Sequence, residues 1–128
     1  RTAVVLMTHN YLHDLELLKS LLTSEAVYLG CLGPKRRTER LLLELTHGNE
    51  VLTAAHLRRL HAPAGLDIGA ETPTEIALSV IAEISAVVRQ RDGGLLKKRI
   101  GSIHSDPGQH RFDRTWAARG DHAAMVVT

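Results

Sequence analysis

Between Tyr28 and Leu42 the chain reads YLGCLGPKRRTERLL, an apolar run followed by two glycines, a proline and a cluster of basic residues. Gly30 and Gly33 permit positive φ or a close backbone approach. Pro34 suits the first turn of a helix, whose free amides attract an anion. Lys35, Arg36, Arg37 and Arg40 add positive charge, and a guanidinium can grip phosphate through two parallel hydrogen bonds. The chemistry this describes is phosphate binding. The same residues also describe a connector followed by a solvated basic helix face, with Glu39 and Glu44 as pairing neighbours. The spacing is neither G-x-G-x-x-G nor a P-loop, and the residues alone leave both readings open.

Two further stretches offer polar groups at the ends of apolar runs. Thr8, His9 and Asn10 follow AVVLM, and Asp67 and Gly69 lie in AGLDIGA. A carboxylate ending an apolar strand is costly unless hydrogen-bonded, so Asp67 meets either a ligand N–H or hydroxyl, or the backbone amides of its own turn. His9 and His13 stand four apart, a zinc-like spacing on a helix. His9 falls before the helix begins, however, and no third ligand is evident. A polar turn whose Thr8 and Asn10 satisfy backbone groups is the better reading there. Cys31 lies beside basic residues that would lower a thiol pKa, but Leu29 and Leu32 favour a buried, inert thiol. His56 and His61 read as ordinary helix-surface residues. No nucleophilic triad, Cys/His dyad or acid/base carboxylate pair can be argued from spacing, so no catalytic residue and no metal site are assigned.

The elements that would position these groups are short and alternate in type. AVVLMT (3–8) is a continuous apolar, β-branched run, as expected of a strand buried on both faces. Tyr11, Leu15, Leu18 and Leu22 then recur at helical spacing, with Asp14 or a near neighbour capping the start. A second strand over 26–32 precedes a helix that Gly48 would stop, and Thr53 caps a short helix within 52–61. The third strand is expected over 64–70. TPTE at 72–75 supplies a capping box for a helix burying Ile76, Val80, Ile84 and Val87. Beyond Gln90 the pattern fades into a turn-rich tail. Alternating strands and helices imply parallel pairing with right-handed crossovers, an α/β fold of the doubly wound type. Three strands make only half of a Rossmann-like unit, comprising residues 1–91, with 92–128 as a basic tail. Ligands of such sheets bind outside the carboxyl ends of the strands, where Thr8–Asn10, Gly30–Gly33 and Asp67–Gly69 would converge.

Composition narrows the class. A chain of 128 residues makes one domain at most, and 44% apolar with 23% charged residues is ordinary for a soluble globular protein. No apolar run approaches the roughly 20 residues of a membrane span, and no signal peptide is evident. A single cysteine precludes an intrachain disulfide, which makes a cytoplasmic location the default. The net charge of +2 is uneven, because residues 89–128 hold 8 Lys/Arg against 4 Asp/Glu. With only Tyr11, Tyr28, Phe112 and Trp116 as aromatics, base-stacking platforms are not expected.

Three stretches in order, VVLMTHNYLHDLELLKSLL, YLGCLGPKRRTERLL and GLDIGAETPTEIALSVIAEI, closely resemble the C-terminal Rossmann-like domain of the XdhC/CoxI family, the xanthine dehydrogenase accessory proteins. The likeness extends to about His104, where GGLLKKRIGSIH is also family-like; from Ser105 the chain resembles nothing identifiable. The resemblance implies an accessory factor rather than a catalyst. Such a factor would bind the molybdenum cofactor, a molybdopterin that is a dinucleotide in some systems, assist its sulfuration, and deliver it to xanthine dehydrogenase or a related apo hydroxylase. It implies a sulfur-donating cysteine desulfurase as a second partner. On this reading Thr8, His9, Asn10, Gly30, Gly33, Lys35, Arg36, Arg37, Asp67 and Gly69 are the cofactor-binding candidates. Relatives carry a Gly-rich strand–turn–helix and a separate domain ahead of the equivalent of residue 1, so the chain is expected to be part of a larger unit. An exposed sheet edge would favour a homodimer. The alternatives are an NAD(P)-binding oxidoreductase domain and a truncated, dimerising interaction module.

Overall fold

The computed structural model describes residues 1–48 and 52–104, and the backbone of 125–127. Strand β1 (Ala3–Leu6) is followed by helix α1 (Tyr11–Leu22), β2 (Tyr28–Cys31) and α2 (Lys35–His47). A short helix α3 (Ala54–Arg59) runs into β3 (Leu60–His61), then come α4 (Pro73–Val88), a 3-10 turn at Leu96–Lys98, and β4 (Met125–Val127). The sheet has the order β3-β2-β1-β4, with all three pairings parallel. Most of residues 105–128, read above as tail, lies outside the described residues.

Alternation along the strands builds two cores. Val4, Leu6, Leu29 and Cys31 face one side and pack with Leu18, Leu22, Ala26 and Leu45, placing α1 and α2 there. Ala3, Val5 and Tyr28 face the other side and meet Val80 of α4, with Ile84 and Val87 beside it. Helices on both faces of a parallel sheet are the Rossmann-like arrangement, and they explain why β1 and β2 are buried along their whole length.

Helix direction sets the function of each sheet edge. At the amino edge, Val27 N–H donates to Thr2 C=O at 2.9 Å, and Arg1 donates to Val88 C=O at 3.0 Å. Both α1 and α4 therefore end near that edge and run antiparallel to the strands. The guanidinium of Arg59 donates to the carbonyls of Leu22, Ser24 and Ala26, each at 2.7 Å, clamping the turn between α1 and β2. The N-termini of α1, α2 and α4 consequently point toward the carboxyl edge.

Two expectations are corrected. The third strand is not 64–70 but Leu60–His61, paired through Leu29↔Leu60 and Gly30↔His61. Residues 64–70 instead cross to α4 as a loop, whose Gly65 lies against Ser79. An apolar run bounded by glycines suits either form, and here packing on the helix prevails over strand pairing. The region after Gln90 is also not wholly irregular, because Met125–Val127 pairs with β1. Among the described residues no helix is long and apolar enough to cross a membrane.

Candidate functional site at the carboxyl edge of the sheet

The loops leaving β1 and β2 run side by side, joined where Leu32 N–H donates to Leu6 C=O at 3.0 Å. In the first loop Asn10 caps α1, its side chain accepting from His13 N–H at 3.2 Å. His9 is exposed. In the second loop Gly33 has φ of 123°, a conformation open to glycine. Pro34 occupies the N-cap position of α2, and no side chain among the described residues caps that helix. Among the described residues the amides of Lys35 and Arg36 have no partner and are left for solvent or an anion, and the side chains of both residues are exposed. In α1 and α4 the third helical amide, that of His13 or Glu75, donates to the side chain of Asn10 or Thr72, whereas in α2 that of Arg37 donates to Pro34 C=O at 2.8 Å.

Arg37 differs from its neighbours. Its Nη2 donates to Asp14 Oδ2 at 2.6 Å, and Asp14 is only 4% exposed. The other carboxylate oxygen of Asp14 accepts from the Thr8 hydroxyl. The stem of Arg37 passes near Gly33, where a Cβ, if present, would be 3.5 Å from Arg37 Cδ. Thr8 and Arg37 are therefore brought together, but through Asp14, which spacing offered only as a helix cap. The signal was present. Tyr11, Asp14 and Leu18 form a helical stripe, and a carboxylate on a buried stripe requires a partner.

The remaining candidates divide. Gly30 is buried within β2 beneath Tyr28, whose Cε1 would sit 2.7 Å from an added Cβ. It thus makes room for a ring, not a ligand. Asp67 does not end a strand; it is exposed in the loop before α4, with no hydrogen bond or ion pair among the described residues. Gly69 (φ 69°) shapes that same loop. Cys31 is buried, and burial, with the Asp14 carboxylate beside it, pushes its thiol up to about 12. That agrees with the inert reading.

Behind the edge lies a node that the sequence did not disclose. Glu83 of α4 accepts from the Tyr28 hydroxyl at 2.6 Å and from Gly65 N–H at 2.7 Å. His61, expected on a helix surface, instead ends β3, with its Nδ1 3.1 Å from the same carboxylate. Its ring stacks on Tyr28 with centroids 4.4 Å apart. Burial opposes charge on Glu83, yet the bonds from Tyr28 and Gly65, with His61 alongside, hold its carboxyl below the usual 4.5. This node fixes the Asp67 loop to the sheet. A separate concavity of about 770 Å³, lined by Arg89, Gly93, Leu96, Lys98 and Arg99 among others, follows the C-terminal end of α4 and takes no part in the edge.

Comparison with known proteins agrees with this architecture. Residues 1–84 match the family model described as the XdhC Rossmann domain. "Uncharacterized protein YqeB" of Escherichia coli K12 is 41% identical over 95 residues, covering 74% of this chain and 17% of that protein. A Bacillus subtilis protein described as a probable subunit of xanthine dehydrogenase is 41% identical over 83 residues, covering 64% of this chain and 22% of the relative. A crystal structure described as a xanthine dehydrogenase from Bacillus halodurans superposes with a TM-score of 0.55 at 39% identity, covering 68% of this chain and 23% of that one. The chain thus spans about a fifth of the length of these relatives.

Proposed function

The chain belongs to the XdhC family, and on that premise we propose that it is the cofactor-holding part of an accessory factor for a molybdenum hydroxylase. One observation carries this reading: among the described residues α2 alone of the three helices aimed at the carboxyl edge has no side-chain cap, and exposed Lys35 and Arg36 stand at its start. A phosphate would meet the Lys35 and Arg36 amides and both cations, and Asp67, without a partner among the described residues, can accept from a pterin amine or meet a hydroxyl. In chemical type, these groups match the phosphate and the pterin amine of molybdopterin, alone or as a dinucleotide. When bound, the cofactor supplies the molybdenum centre that the client hydroxylase uses. This chain's residues bind and orient it at its phosphate end, with Gly33 and the stem of Arg37 shaping the turn.

The relatives named for xanthine dehydrogenase support a molybdenum hydroxylase as the client, and a cysteine desulfurase and a second copy of the chain complete the proposed set of partners. The test is retention of cofactor. Protein purified from a molybdopterin-producing host and oxidised should release fluorescent pterin, and it should associate with apo xanthine dehydrogenase. Absence of both would overturn the proposal.

A further inference from the structure

We infer that the concavity following α4 is a docking surface for an acidic, amphipathic segment of a partner protein. This surface lies apart from the carboxyl edge, and its role does not depend on what that edge binds. Residues 89–104 hold five Lys/Arg against one Asp. Arg89, Arg91, Lys98 and Arg99 line the concavity of about 770 Å³. The one carboxylate of the segment, Asp92, accepts from Gly94 N–H at 3.0 Å and so is engaged by its own turn. Leu95, Leu96, Ile100 and Ile103 line the same concavity and are 61%, 67%, 99% and 58% exposed. Contiguous large apolar side chains left in water, rimmed by charge, mark a surface that another molecule covers.

The surface has a defined shape. Lys98 and Arg99 N–H donate to Leu95 and Leu96 C=O at 2.9 and 3.0 Å, and Arg99 Nε donates to Ser102 C=O at 2.9 Å. Gly93, at φ 73°, turns the chain against Leu66, whose Cδ2 would be 2.9 Å from a Cβ placed there. A preformed surface costs little to order on binding. Cations around apolar anchors are complementary to a segment that carries both carboxylates and apolar side chains. Residues 89–104 contain no aromatic ring on which bases could stack, which argues against nucleic acid. Their helical turn spans only Leu96–Lys98, whereas a membrane-surface anchor presents its apolar face from a longer amphipathic helix. The apolar groups are exposed and do not enclose a pocket, which suits a chain laid across them better than a small molecule.

The experiment titrates a synthetic peptide of repeating Glu-Glu-Leu-Phe sequence into the intact chain and follows backbone amide shifts. Saturable shifts should concentrate at Leu96, Lys98 and Ile100 and spare Lys35 and Arg36. Polyglutamate and a Gln-Gln-Leu-Phe repeat, which keep one property each, should bind at least about tenfold more weakly. Lys98→Glu/Arg99→Glu and Ile100→Ser alter exposed side chains, so circular dichroism should show an unchanged fold. Each should weaken the peptide about tenfold. No saturable shift, shifts centred on Lys35 and Arg36, or equal binding of polyglutamate would overturn the inference. Binding to phosphatidylcholine–phosphatidylserine vesicles without a peptide response would overturn it in favour of a membrane. Dimerisation abolished by Ile100→Ser, again without a peptide response, would overturn it in favour of a second copy.

Discussion

At the scale of single residues, the carboxyl edge separates groups that a basic cluster presents as equivalent. Lys35 and Arg36 are exposed beside uncapped amides, whereas Arg37 spends its charge on Asp14. Arg40 reaches sideways, its guanidinium carbon 4.6 Å from the centre of the Tyr11 ring and its Nε 3.2 Å from Glu44. Of these four cations, only Lys35 and Arg36 have no side-chain partner among the described residues. Cys31 shows how position overrides neighbourhood. Basic residues follow it in sequence, yet burial and Asp14 push its thiol up to about 12. At pH 8 the native protein should therefore react with a chromogenic disulfide reagent far more slowly than the same protein in denaturant. Equal rates would show that the thiol is accessible.

At the scale of elements, most of the architecture was legible because local signals and packing agree. The Thr72–Glu75 capping box, the Thr53 cap and the Gly48 stop all stand where the residues place them. Strand β3 was not legible, because two residues carry no periodicity and their pairing with β2 is a long-range choice. The Glu83 node was hidden for a related reason. Its partners Tyr28, His61 and Gly65 come from separate segments, and only the stripe Ile76, Val80, Glu83, Val87 hinted at a partly buried carboxylate. Because this node ties β2, β3 and the Asp67 loop to α4, it should govern acid stability. The folded state holds Glu83 below 4.5, so its contribution is full above that pH and is lost as pH falls through the lower, folded value. Glu83→Gln should cost about 1–3 kcal/mol at pH 7 in urea unfolding, and the two stability curves should converge in acid. Parallel curves would show that Glu83 does not carry this linkage.

At the scale of the molecule, the sheet places three helix N-termini on one edge, and among the described residues one of them has no side-chain cap, which is what makes the basic turn a candidate cofactor site. The outer face of α4 exposes Leu78 and Ile81, apolar surface that suits contact with a partner or with the rest of a longer assembly. The central claim is that the cofactor is held through Lys35, Arg36 and the amides of α2. It is tested most directly by comparing pterin released on oxidation from wild-type protein and from Lys35→Glu/Arg36→Glu, both purified from the same molybdopterin-producing host. Both substitutions fall on exposed side chains, so folding should be unchanged by circular dichroism. The account predicts that the wild type releases pterin and that the charge-reversed protein releases little above background. Equal pterin from the two proteins would place the cofactor elsewhere and contradict it.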